Sequence, residues 1–177
     1  MGGIGRRGAV VLGAVLLAVV VPAAAGAAGR SYGPSWGRFE ASFPSAPVAA
    51  VVPSAELSGL TGALAARSYA VSTVPISSAS ALSAPTYEVV VVRFHTAAQA
   101  TKVVKEASKD YPHMAKVSAG GASGVEHTGV AAATAESKAF SFGVLFASRG
   151  AEAFEVVVAT ATASPVPRFL RSFRPVG

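Results

Sequence analysis

Tyr87-Glu88-Val89-Val90-Val91-Val92-Arg93-Phe94-His95-Thr96-Ala97-Ala98-Gln99 is the stretch that decides the fold. Four consecutive valines, Val89 to Val92, place β-branched side chains on both faces of an extended segment. A strand apolar on both sides is buried on both sides, so it belongs near the centre of a sheet. Thr96 is then placed to cap a helix, its hydroxyl accepting from an otherwise unpaired amide of the first turn. From Ala97 the apolar period changes from two to the helical one. Ala97, Ala100, Val103, Val104, Ala107 and Tyr111 form one stripe, and Gln99, Lys102, Lys105, Glu106 and Lys109 form the other. Pro112 ends the segment.

On the N-terminal side, Trp36 to Phe43 alternates, with Phe39, Ala41 and Phe43 on one face, and Pro44-Ser45-Ala46-Pro47 stops it. Val48 to Val52 reads as a short edge strand within a region broken by Pro53, Gly59 and Gly62, and Arg67 to Val74 alternates again. The Ser/Ala/Pro-rich residues 75–85 read as an exposed connection.

On the C-terminal side, residues 119–124 read as a glycine-rich loop and Val125 to Thr128 as a short strand. Phe140 to Ser148 and Ala153 to Thr160 alternate around Arg149-Gly150-Ala151, the signature of a hairpin. Ser164-Pro165 reads as cap and first turn of a closing helix anchored by Phe169, Leu170 and Phe173. Strands mostly in succession with two helices inserted predict an α+β domain. Its antiparallel sheet has five to six strands, with one main helix and a short C-terminal helix packed on it.

The N-terminus has a different character. Arg6 and Arg7 precede an uncharged apolar run from Ala9 to Val21, then Pro22 and the small residues 23–28. A basic start, an apolar core and a small-residue exit make the layout of a secretory signal peptide over 1–28. The alternative is a retained anchor, since residues 9–28 reach the roughly 20 residues a spanning helix needs. The expected locations are accordingly secreted or envelope-associated, or single-pass membrane-anchored, with membrane contact through 9–28 if the leader is kept. Residues 29–35 read as a flexible tether, and 36–177 as a single domain.

Without Arg6 and Arg7, thirteen basic residues stand against nine acidic, a net charge of +4. That mild excess reads first as ordinary solubility and also allows modest attraction to anionic lipid or wall polymer; no nucleic-acid partner is expected. There is no cysteine and no asparagine, and Asp110 and Gln99 are the only residues of their types. Disulfides, thiolate metal sites and N-glycosylation are excluded, and hard-metal loops lose their usual ligands. No cofactor is expected.

Two motifs bracket the domain: Phe39-Glu40-Ala41-Ser42-Phe43-Pro44-Ser45-Ala46-Pro47 and Phe169-Leu170-Arg171-Ser172-Phe173-Arg174-Pro175. They resemble a group of exported bacterial proteins whose domain opens with F-x-x-x-F-P-x-x-P and closes with F-L-x-S-F. The Tyr69-Ala70-Val71, Tyr87 and Phe140/Phe154 segments fall in similar order. The domain is also similar to the PsbP-like fold, an antiparallel sheet flanked by helices. The resemblance implies a fold and no catalytic residues. The chain departs from the group where G-x-x-x-G-R-E is common, reading Gly-Gly-Ala-Ser-Gly-Val-Glu over 120–126.

Candidate chemistry is sparse. Gly121-Ala122-Ser123-Gly124-Val125 approaches a nucleophile elbow, but Val125 stands where G-x-S-x-G requires glycine. His95, His113 and His127 lie in separate elements with no metal-binding spacing, and Asp110 with His113 reads as local turn chemistry. Arg168, Arg171 and Arg174 recur every three residues as a basic stripe, and Trp36 offers an indole near the first strand. These four residues form the candidate binding surface, and no catalytic or metal-binding residue is assigned. The leading expectation is an exported, non-catalytic domain that binds a protein or an anionic envelope component. The alternatives are a secreted serine-dependent hydrolase using Ser123, and a membrane-tethered accessory domain.

Overall fold

The computed structural model describes residues 30–72, 85–111, 113–132 and 139–176. The leader reading of 1–28 lies outside them, as does most of the 75–85 connection. No helix among the described residues is long and apolar enough to cross a membrane.

The domain is α+β, with antiparallel sheets and two α-helices. Ten strands are described rather than five or six. They are β1 (Arg30–Tyr32), β2 (Phe39–Phe43), β3 (Val48–Val51), β4 (Ala63–Ser72), β5 (Thr86–Phe94), β6 (Ala115–Ala119), β7 (Ala122–Ala131), β8 (Phe140–Arg149), β9 (Glu152–Thr160) and β10 (Arg174–Pro175). The helices are α1 (Ala97–Ala107) and α2 (Pro165–Ser172), with single 3-10 turns at Ser54–Leu57 and Ser108–Asp110. The larger sheet runs β3-β4-β5-β9-β8-β7-β6, and the smaller runs β1-β2-β10.

The valine strand β5 lies one place from the middle of the larger sheet, and both its faces are covered. On one face Val90, Val92 and Phe94 meet α1 through Ala100 and Val104. On the other, Val89 and Val91 join Phe39, Phe43, Phe154, Phe169 and Phe173 beneath the small sheet and α2. Burying each such side chain contributes about 1.5–3 kcal/mol. Thr96 caps α1 as its sequence predicts, through a full capping box: its hydroxyl accepts from Gln99 N at 3.3 Å, and Gln99 Oε1 accepts from Thr96 N at 3.1 Å. Ala97, by contrast, is exposed, and the buried stripe begins at Ala100.

Other expectations are corrected. The tether contains β1, whose Tyr32 pairs with Ala41 and packs against Phe43 at 6.0 Å. The 119–124 loop is a two-residue hairpin turn, with Ala119 opposite Ala122 and positive φ at Gly120 (55°) and Gly121 (79°). Two consecutive positive φ values define the primed turn whose twist suits antiparallel strands. Ser164 does not cap α2; its own φ and ψ are helical, and its side chain caps nothing.

The two bracketing motifs form one unit. Phe43 meets Phe169 edge-on at 5.2 Å, and Phe39 meets Phe173 at 5.9 Å. Ser42 N donates to Ser172 Oγ at 2.9 Å, while Glu40 and Phe39 pair with Arg174 and Pro175.

Candidate functional site

The end of β5, the β8–β9 turn, the start of β4 and the two chain segments on either side of the small sheet converge on one open cleft. It measures about 480 Å³ and is lined by Arg38, Leu64, Arg93, Arg149, Glu152 and Val176, with Phe94 and the turn residues Gly150 and Ala151. Arg93 Nε donates to Glu152 Oε1 at 2.8 Å, a partly exposed pair joining neighbouring strands. Arg149 Nη1 donates to the carbonyls of Pro175 at 2.6 Å and Gly120 at 3.3 Å, which hold the guanidinium in place without neutralising it. Among the described residues, Arg38 and Arg149 have no carboxylate partner. The cleft therefore carries an excess of fixed positive charge.

Beside it stands Trp36. The Arg93 guanidinium lies 4.4 Å from the centre of its ring and the Arg67 guanidinium 5.0 Å, within cation–π range. The Trp36 carbonyl accepts from Tyr69 Oη at 2.8 Å. Burial raises the Tyr69 phenol above its ordinary value against the opposing pull of Arg67, so this hydroxyl remains a donor. Trp36 is thus coupled through Arg93 to the cleft rather than to the arginines of its own candidate set. Those do not form one helical stripe. Arg168 and Arg171 are exposed on α2, Arg171 donating to Pro167 O at 3.1 Å. The helix ends before Arg174, which sits on β10 and pairs with Glu40 at 2.8 Å.

The remaining candidates separate. Ser123 lies in the β7 ladder between Ser118 and Ser148. His95 is exposed after β5, His113 occupies a turn with φ of 57°, and His127 packs against Tyr111 and Phe142. Among the described residues no three metal-ligating side chains gather. The Asp110 side chain and Pro112 fall outside the description, and the reading of Asp110 with His113 with them.

A second polar feature lies inside the sheet. Glu88 on β5 and Glu155 on β9 are buried on the α1 face, where Glu155 stands opposite Val90 and Phe146. Ser68 Oγ donates to Glu88 Oε1 at 2.5 Å, while Glu155 Oε2 has no partner among the described residues. Burial raises the Glu88 carboxyl to about 7, against the hydrogen bond from Ser68. Burial, and then the charge of Glu88, raise Glu155 well above the usual carboxylate range.

Sequence reasoning missed both features. The glutamates had a signal, since Tyr87-Glu88-Val89-Val90-Val91 and Phe154-Glu155-Val156-Val157-Val158 set a charge within each of two apolar strands in the same pattern. The cleft had little, because its residues come from five separate places in the chain.

No family model matches the sequence, and no curated protein matches it either. The fold is similar to a crystal structure from Bacteroides thetaiotaomicron VPI-5482 solved at 1.50 Å, with a TM-score of 0.51 and 9% identity. The match covers 85% of this chain and 50% of that one, so this chain spans half the length of its structural neighbour. At that identity the likeness extends to the fold alone.

Proposed function

We propose that the chain is an exported, non-catalytic domain that binds an anionic component of the cell envelope at the arginine cleft. The observation that carries this reading is the grouping of Arg38, Arg93 and Arg149 around one open pocket in which Glu152 is the single carboxylate. Guanidinium groups present fixed, planar sets of donors suited to carboxylate and phosphate oxygens. The leader reading over 1–28 and the resemblance to exported proteins through the two phenylalanine motifs belong to the same proposal. The ladder pairing of Ser123 engages its backbone, and its exposed hydroxyl has no histidine partner among the described residues.

Trp36 is the sole tryptophan of the chain, and Arg93 lies against its ring, so its emission reports on the cleft. Titration with polyglutamate or polyphosphate at low salt should change that emission saturably, and added salt should weaken the effect. Arg38→Asn should reduce it, whereas Arg168→Ala with Arg171→Ala should leave it unchanged. Equal loss in the α2 variant would move the surface to that helix, and no response to any polyanion would defeat the reading. N-terminal sequencing of protein from the medium and from membranes distinguishes a cleaved leader from a retained anchor.

A further inference from the structure

Two departures from regular backbone meet at the cleft, and each delivers one of its lining side chains. Arg38 has a φ of 40°, one of two positive values at described non-glycine residues. Arginine has no intrinsic preference for that region, and such conformations persist where the surroundings impose them, often at binding sites. Here the Arg38 carbonyl accepts from Val176 N at 2.7 Å, which fixes Arg38 and Val176 on the same side of the pocket. In β4 the ladder with β5 shifts register between Ala63 and Ala65, so Leu64 is the extra residue of a bulge. Bulges re-aim side chains, and Leu64 lines the cleft while 55% exposed.

The exposed large apolar side chains among the described residues are Val51, Leu64, Val130 and Val176. Two of the four line this one pocket. Its wall is therefore amphipathic, with uncompensated guanidiniums of Arg38 and Arg149 beside Leu64 and Val176. A bare polyanion would engage the arginines and leave both apolar side chains in water.

We infer that the cleft takes a single-chain anionic amphiphile. Its carboxylate or phosphate lies against Arg38 and Arg149, and its alkyl chain covers Leu64 and Val176. This rests on the reading of the cleft as an anion site and names its ligand class. The pocket volume of about 480 Å³ falls in the range of sites for one small ligand.

The test uses the purified full-length chain with ligands below their micellar concentrations. Dodecanoate and dodecyl phosphate carry head and chain, acetate and methyl phosphate the head alone, and dodecyl maltoside a chain without charge. Binding is read from Trp36 emission and calorimetry. The chain-bearing anions should bind at least about tenfold tighter than the head groups, as burial of several methylenes requires. A preference for dodecanoate or for dodecyl phosphate identifies a carboxylate or a phosphate source. Arg38→Asn should weaken chain-bearing anions and head groups alike by about tenfold, the worth of one charge-assisted hydrogen bond. Asparagine tolerates positive φ, so the backbone is retained. Leu64→Ser should weaken only the chain-bearing anions, by about fivefold. Equal affinity with and without the chain would overturn the amphiphile and leave the anion site standing. Absence of binding by every anion, polyanions included, would overturn both. Dodecyl maltoside binding as tightly as dodecyl phosphate, or binding untouched by both variants, would place the amphiphile elsewhere and also overturn the inference.

Discussion

The two glutamates buried in the larger sheet give the domain an unusual dependence of stability on pH. A carboxyl whose folded value lies above its unfolded value keeps its proton in the native state after the unfolded chain has lost it. Its contribution is therefore fully present below the unfolded value and is lost as pH rises through the folded one. For Glu88 the window runs from 4.5 to about 7. At about 1.4 kcal/mol per unit, that shift corresponds to about 3 kcal/mol lost by pH 8. Glu155 acts in the same direction and continues to higher pH, because burial and the charge of Glu88 both oppose its ionisation. Urea denaturation at pH 4 and pH 8 measures the difference. With a urea slope of about 1–3 kcal/mol per molar, 3 kcal/mol moves the midpoint by one molar or more. Glu88→Gln removes the ionisable group while its carbonyl still accepts from Ser68. It should match the parent at pH 4 within about 0.5 kcal/mol, the usual scatter for a substitution that breaks no contact, and exceed it at pH 8. The double variant with Glu155→Gln should be nearly flat between the two. A parent as stable at pH 8 as at pH 4, or a double variant with the parent's slope, would refute the assignment of the loss to this pair.

Three further outcomes test the packing. Thr96→Ala removes the cap hydroxyl of α1 and should lower stability by about 1 kcal/mol, read from the urea midpoint. At Gly143 a Cβ would stand 2.7 Å from both Leu170 and Val166. Gly143→Ala should therefore lift α2 from β8 and lower stability by about 1–3 kcal/mol, with faster amide exchange in α2. At Gly120 a Cβ would stand 2.7 Å from Arg174 Cβ, and the φ is positive. Gly120→Val should disturb the β6–β7 turn together with β10, seen as broadened amide resonances in both.

The central architecture was legible because its signals are local. A valine run, a threonine followed three residues later by glutamine, and a hairpin with glycine between alternating phenylalanines each state their conformation within about ten residues. What was hidden depends on distant partners. β10 has two residues and β1 has three, too few for any period to show, and both exist because β2 offers them edges. β6 is an edge strand exposed along most of its length; its five residues do alternate, but Val117 is the one sizeable apolar side chain among them, and the Gly-Gly pair that follows reads as loop. Leu64 and Arg38 are hidden more deeply. A bulge and a positive φ at arginine arise from register and tertiary tethering, and no neighbouring residue announces either.

The resemblance motifs and the cleft divide the domain between them. Phe39, Phe43, Phe169, Leu170 and Phe173 are all at most 2% exposed, and Ser172 serves the Ser42 amide. These motif positions are thus occupied by closing the small sheet over the larger one. The segments that emerge from this closure have a different role. Arg38 lies one residue before Phe39, and Val176 two residues after Arg174. Their mutual hydrogen bond carries the packed unit's rigidity to the mouth of the cleft. On the opposite wall, Arg93 and Leu64 extend from strands whose interiors are fixed by Val89 to Val92. Pre-organisation of this kind reduces the ordering that binding would otherwise require. Under the proposed reading, Arg38, Leu64 and Val176 can then be substituted without disturbing the phenylalanine core, since all three are exposed and none belongs to it.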